Sequence, residues 1–234
     1  MTVIQAKIFR YDPETDEPPK FETFRIEYTQ RITVLDALKE IYQNQAPDLG
    51  FMYGCRTNEC GTCAVRVNKR AVLACKERVE GDIVVEPLVT PFSKIIRDLI
   101  IDRSGIDNRL RAAEYFVQRV VPHQGKPDSI DPDIIEEIRL LGRCIDCLIC
   151  MDRCPAHQRR DFYGPMFMIQ LQKLLKHPFD TGERISKSHQ MGLWNCIQCQ
   201  QCTESCPQDI DPARSIREMR SIAFRTMMGK GVKL

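Results

Sequence analysis

Twelve cysteines stand at intervals that sort them into three sets of four. Cys55, Cys60 and Cys63 have the spacing C-x4-C-x2-C, and Cys75 follows after eleven intervening residues. That is the plant-type pattern for a 2Fe–2S cluster. Four thiolates around a two-iron core require a tight loop whose backbone N–H groups reach the sulfurs. Gly61 permits close backbone approach, and Asn58 tolerates the left-handed conformation where glycine is commoner. Zinc is the alternative, but zinc sites usually pair two short C-x2-C knuckles, whereas this set has one long loop, one short step and a remote fourth ligand.

Cys144, Cys147, Cys150 and Cys154 read C-x2-C-x2-C-x3-C and end at Pro155. Cys196, Cys199, Cys202 and Cys206 repeat the pattern and end at Pro207. This is the bacterial ferredoxin run, in which three close cysteines hold one cubane and the fourth ligates the other. The short steps wrap one face of a cube, and the cysteine before proline is turned away as the chain leaves the run. The expected ligand sets are Cys144, Cys147, Cys150 and Cys206 for one 4Fe–4S cluster, and Cys196, Cys199, Cys202 and Cys154 for the other. A disulfide framework is the competing use of so many cysteines, but it belongs to small exported domains with poor cores. His123, His157, His177 and His189 occur singly and read as surface or core residues. Trp194, two residues before Cys196, is expected to pack over a cluster. Arg159 and Arg160 read as a solvated pair.

The elements that hold these sets change character along the chain. Val3–Arg10 and Thr23–Tyr28 alternate as strands, the second with Phe24, Ile26 and Tyr28 on one face. Thr33 and Asp36 form a capping box for a helix with Val34, Leu35, Leu38 and Ile41 inward. Ala64–Val67 and Arg70–Ala74 flank Asn68-Lys69 as a hairpin, and Ile83–Val85 is a last strand. Beyond Pro87 the pattern turns helical. Thr90 and Pro91 are expected to start a helix carrying Ile95, Ile96, Leu99 and Ile100. Asp131-Pro132 starts another with Ile134, Ile135, Ile138 and Leu141 inward. Asp211-Pro212 starts one with Ile216, Met219 and Ala223, and Met166, Phe167, Met168 and Leu171 read as helix core. Residues 121–129 read as a loop.

At 234 residues and 43% apolar composition the chain can bury a core, and a net charge of +2 gives no reason to expect nucleic acid. Met1 to Arg10 lacks the apolar core of an export signal. The apolar stretches near residues 95–101 and 166–175 are broken by polar residues, short of the roughly 20 apolar residues of a membrane span. There is no nucleotide-binding glycine fingerprint and no acid–base constellation, so no substrate site is expected in this chain.

The order of these sets resembles the iron–sulfur subunit of succinate dehydrogenases and fumarate reductases over nearly the whole chain. The matching stretches are Cys55-Arg56, Cys60-Gly61-Thr62-Cys63, Leu73-Ala74-Cys75 and the segment from Ile96 to Asp102, read as a helix. The resemblance implies an α+β protein. A plant-ferredoxin-like β-grasp domain (1–103) precedes an all-α, bacterial-ferredoxin-like domain (104–234). It implies an electron-transfer subunit working between the FAD of a flavoprotein partner and a membrane-associated, quinone-linked partner, on the inner face of the cytoplasmic membrane. A related complex with another flavoprotein substrate, or a thiol-driven fumarate reductase, is the alternative; an iron–sulfur sensor or a zinc-based module is the reading from another class.

Three positions depart from the common members. There the third run lacks its second cysteine and holds a 3Fe–4S cluster, whereas this chain has Cys199. A tryptophan and a histidine that serve quinone are replaced by Arg159 and Ile197. The pattern resembles the non-classical branch with one 2Fe–2S and two 4Fe–4S clusters, which uses a cysteine-rich partner in place of ordinary transmembrane anchors.

Overall fold

The computed structural model describes residues 2–15, 18–120, 125 and 129–228. Two compact units emerge: Met1–Ile106 with Ile145–Asp152, and Asp107–Cys144 with Arg153–Leu234. The protein is α+β, with a mixed sheet in the first unit and helices in the second.

In the first unit β1 (Thr2–Arg10) and β2 (Lys20–Tyr28) pair antiparallel, Thr2 opposite Tyr28 and Arg10 opposite Lys20. Alternation along β1 buries Ile4, Ala6 and Ile8 and leaves Val3 half exposed. Helix α1 (Val34–Asn44) begins at the Thr33–Asp36 capping box and turns Val34, Leu35, Leu38 and Ile41 inward. β3 (Ala64–Val67), β4 (Arg70–Leu73) and β5 (Ile83–Pro87) complete a sheet of order β2-β1-β5-β3-β4, in which β1 and β5 run parallel. The β3–β4 turn has Asn68 and Lys69 at φ +49° and +67°, the type I′ geometry a two-residue hairpin favours. Asn68 serves there because its Oδ1 accepts from the Val84 N–H, at 2.8 Å.

The helix expected after Pro91 is absent. Lys94–Arg97 and Ile100–Asp102 form a hairpin, β6 and β7. The β-branched residues Ile95, Ile96, Ile100 and Ile101 suit strands, and Thr90 caps only a turn, accepting from Phe92 N. Asp98, at φ +46° and 2% exposed, decides the matter. Its carboxylate accepts from Arg10 Nε at 3.1 Å, Tyr11 N at 2.8 Å and Gly50 N at 2.7 Å. Arg10 is itself buried and also pairs with Glu22 and Asp48. Three long-range donors fix Asp98 in a conformation that helix periodicity does not reveal. The short helix α4 (Ile149–Asp152) also belongs to the first unit, where Asp152 pairs with Arg66 at 3.0 Å.

Helix α2 (Ser104–Ala112) crosses from the first unit into the second. The second unit holds α3 (Pro132–Leu141), α5 (Pro155–Gln158), α6 (Pro165–Leu175), α7 (Arg184–Gln190), α8 (Gln201–Glu204) and α9 (Pro212–Met227). Asp131 and Asp211 cap α3 and α9, as their Asp-Pro pairs suggest. Met166, Phe167, Met168 and Leu171 of α6 are buried, as are Ile216, Met219 and Ala223 of α9. The inward face expected for α3 is corrected: Ile135 and Leu140 are exposed and only Leu141 is buried, against Ile169 and Ile210. Periodicity marks a stripe, but α3 packs mainly at its final turn. Arg184, fully buried, clamps Asp180 through two 2.7 Å bonds and donates to the carbonyls of Glu114 and Phe116. Most of the expected loop 121–129, with His123, lies outside the described residues. No described helix is long and apolar enough to cross a membrane.

Asp98→Ala removes the acceptor of Arg10 Nε and of the Tyr11 and Gly50 N–H groups, while Glu22 and Asp48 still pair with the guanidinium. It is expected to cost about 2–4 kcal/mol through the donors left without an acceptor, whereas Glu27→Ala, which breaks the exposed Arg25–Glu27 pair, costs under about 1 kcal/mol. Comparing the thermal unfolding midpoints of the two variants checks this; equal shifts would contradict it.

Candidate metal centres

The first cysteine loop is built by left-handed residues. Arg56, Asn58 and Gly61 have φ of +62°, +65° and +70°. These turns aim the N–H groups of Thr57 and Glu59 at Cys55 Sγ, 3.4 and 3.3 Å away, and that of Cys55 at Cys60 Sγ, 3.4 Å away. Hydrogen bonds from the Thr57 side chain and from the Thr57 and Glu59 backbone lower the Cys55 thiol to about 6, so it is a thiolate at neutral pH. Cys63 is buried and its thiol is pushed up to about 12, first by burial and then by Cys75 and Cys60 beside it. The Ala74 N–H donates to the Cys63 carbonyl at 3.0 Å, which ties the remote Cys75 segment to the loop. All four thiols of the first set therefore meet in one place. The need for glycine at 61 is steric as well. A Cβ there would stand 2.6 Å from the Ile145 carbonyl oxygen and 3.1 Å from Cys147 Cα.

The two later runs repeat in backbone as well as in sequence. Asp146 (+49°) and Leu148 (+66°) are left-handed in one, Gln198 (+56°) and Gln200 (+64°) at the corresponding places in the other. Each run then enters a four-residue helix, α4 or α8, one residue before its third cysteine. Within the second unit, Cys154 and Cys202 are buried, and their thiols are raised, above all by burial. Charge on Cys196 and Cys199 raises both further, and Cys154 raises Cys202, which reaches about 12. The structure thus gathers Cys154 with Cys196, Cys199 and Cys202. Cys144 and Cys206 pack on the same apolar group, Leu141, Ile169 and Ile210. Cys147 and Cys150 belong to the first unit, Cys147 beside Gly61. Among the described residues no group of three or more His, Cys, Asp or Glu side chains has the arrangement of a single-ion site.

The donor sets fit iron–sulfur clusters rather than isolated thiols. N–H groups converge on sulfur in the first loop, and the His157 and Ala156 backbone N–H groups bond Cys154. Trp194, expected to be a cover, is 46% exposed, set edge-on to His189 with the Arg220 guanidinium over its ring. His157 is a core residue, its Nδ1 3.0 Å from the Phe162 carbonyl, and burial pushes its pKa down. Arg159 and Arg160 are exposed. Three supporting residues give no signal in local sequence. Arg220 donates to the carbonyls of Leu193 and Cys196, Arg103 donates to that of Asp146 at 3.0 Å, and Asp98 holds Gly50 ahead of the first loop. Gln198 is discoverable, since it occupies a repeated position of the run.

Gly61→Ala is expected to lose most of the 2Fe–2S visible and EPR signal, while Gly81→Ala, where a Cβ meets nothing within 4 Å, retains it. Matched spectra would contradict the steric argument. Because burial holds Cys63 and Cys202 as thiols, cluster assembly on stripped protein has to expel protons. Its rate is expected to rise with pH throughout the range below about 12, where both thiols are still protonated, and a flat profile would speak against it.

Comparison with known proteins places two domain families on the chain. A 2Fe-2S iron-sulfur cluster binding domain matches residues 5–108, and a 4Fe-4S dicluster domain matches residues 140–210. The chain is 33% identical over 229 residues to a fumarate reductase (CoM/CoB) subunit from Methanothermobacter marburgensis, covering 97% of this chain and 46% of that one. It is 30% identical over 235 residues to the fumarate reductase iron-sulfur subunit of Haemophilus influenzae, covering 92% of this chain and 91% of that one. It thus spans about half the length of the first relative and nearly all of the second. Its fold matches a chain of the Mycobacterium smegmatis Sdh1 complex with a TM-score of 0.83 at 22% identity, over 97% of each chain. The chain binds iron–sulfur clusters and belongs to the family of fumarate reductase iron–sulfur subunits.

Proposed function

We propose that this chain is the electron-transfer subunit of a succinate- or fumarate-linked oxidoreductase, holding one 2Fe–2S and two 4Fe–4S clusters. The observation that carries the reading is the repeated backbone of the two later runs, with Cys199 filling the third set. Cys55, Cys60, Cys63 and Cys75 hold the 2Fe–2S cluster. Cys144, Cys147, Cys150 and Cys206 hold one 4Fe–4S cluster, and Cys196, Cys199, Cys202 and Cys154 the other. When bound, these centres supply one-electron carriers between the FAD of a flavoprotein subunit and a membrane-associated quinone-reactive or cysteine-rich subunit.

The chain's own residues hold and insulate those carriers. N–H groups at Cys55 and Cys154 stabilise thiolate charge, and the burial of Cys63, Cys154 and Cys202 keeps water from the sulfurs. The exposure of Cys199 and Ile197 leaves the last set open to a partner. The working division is 1–103 for the 2Fe–2S domain and 104–234 for the helical domain, on the cytoplasmic face of the membrane.

Anaerobic purification is expected to bring down a flavoprotein active in a succinate–dye assay, with about ten irons per copy of this chain. Cys199→Ser is expected to create an oxidised 3Fe–4S EPR signal that the unaltered complex lacks. A strong 3Fe–4S signal in the unaltered, oxygen-free complex would refute the assignment of Cys199.

A further inference from the structure

The two repeated runs share a backbone and differ at the side chain two residues after the first cysteine, Asp146 in one and Gln198 in the other. The Gln198 side-chain Nε2 lies 3.4 Å from Cys196 Sγ and donates to it. Its Oε1 is buried with no hydrogen-bond partner among the described residues. A buried amide oxygen without a donor is unfavourable, so the donor end has to hold the side chain in place. Turned end for end, the amide would set its oxygen against a thiolate sulfur, which repels it. With Cys196 as a cluster ligand, as proposed above, the orientation seen is therefore the favoured one.

Hydrogen bonds to cluster sulfurs favour the more negative, reduced state and raise the potential. The bond needs no rearrangement, because the left-handed turn at Gln198 already directs the amide to Cys196. An ionised carboxylate, the side chain type at Asp146, has no N–H or O–H to donate.

We propose that Gln198 is a positioning residue that raises the potential of the third centre by donating its amide N–H to Cys196. The inference rests on the third centre being the 4Fe–4S cluster proposed above. It gives two sets with the same cysteine spacing different electronic settings, with the N–H donor in the set whose Cys199 is exposed.

The test is an EPR-monitored redox titration of the anaerobically purified complex. Gln198→Met keeps the side-chain length and removes the donor, and Gln198→Glu replaces the donor with negative charge. The third centre's midpoint is expected to move to more negative values in Gln198→Met and further in Gln198→Glu, with the 2Fe–2S midpoint unmoved. An unchanged midpoint in both variants at full iron content would overturn the proposal. If the variants lose the cluster, the unaltered complex labelled with 15N at glutamine side chains decides. Pulsed EPR of the reduced third centre is expected to show a 15N coupling, and its absence overturns the proposal. Iron content separates the two possible failures. An unaltered complex without a third cubane refutes the functional reading, whereas an intact cubane with an unmoved midpoint refutes the role of Gln198.

Discussion

Thiolate sulfur that gathers negative charge inside a protein has to be met by hydrogen-bond donors, and here most of those donors are backbone N–H groups. An extended or helical chain sends its N–H groups into its own ladder. Only a chain that turns repeatedly into the left-handed region can aim several of them at one sulfur. Arg56, Asn58 and Gly61 do this around the first set, and Asp146 with Leu148 and Gln198 with Gln200 take matching left-handed turns in the second and third runs. Most of these are not glycine, so each such turn is held against about 1–2 kcal/mol of steric strain. The rest of the fold supplies what holds them.

In the first unit that support is the sheet together with the Arg10–Asp98 network. Asp98 receives Gly50, which begins the segment leading to Cys55, and Arg10, at the end of β1. The first loop is therefore hung from the sheet on one side and from the β6–β7 hairpin on the other. In the second unit the apolar helix α6 is the inner element, and α9 reaches the third run through Arg220, whose guanidinium donates to the carbonyls of Leu193 and Cys196. Burial then grades the thiols: Cys63 and Cys202 resist ionisation in the absence of metal, whereas Cys55 does not. Cluster binding offsets that resistance by giving the buried thiolates a positive partner.

Much of this is legible in the sequence because it is local. Cysteine spacing carries ligand chemistry directly, the Thr33–Asp36 box and the Asp-Pro pairs mark helix starts within four residues, and alternation along β1 reads out its buried face. What sequence misses is long-range. The hairpin at 94–102 reads as a helix because its isoleucines also fit a helical period, and Asp98 reveals its role only once Arg10, Tyr11 and Gly50 are beside it. The α3 stripe overstates burial because periodicity supposes a partner along the whole helix. The exposure of Trp194 depends on His189 and Arg220, which its own neighbourhood in sequence does not announce. The left-handed pairs of the two runs lie between these cases, implied by the repeat but visible only in the backbone.

In the proposed assignment three thiolate sets enclose different amounts of iron. Mössbauer spectroscopy of the 57Fe-enriched, anaerobically isolated complex measures that partition directly. About one fifth of the iron is expected in a two-iron site and about four fifths in cubanes. Iron found only in a two-iron site, or spectra dominated by three-iron centres in material never exposed to oxygen, would contradict it.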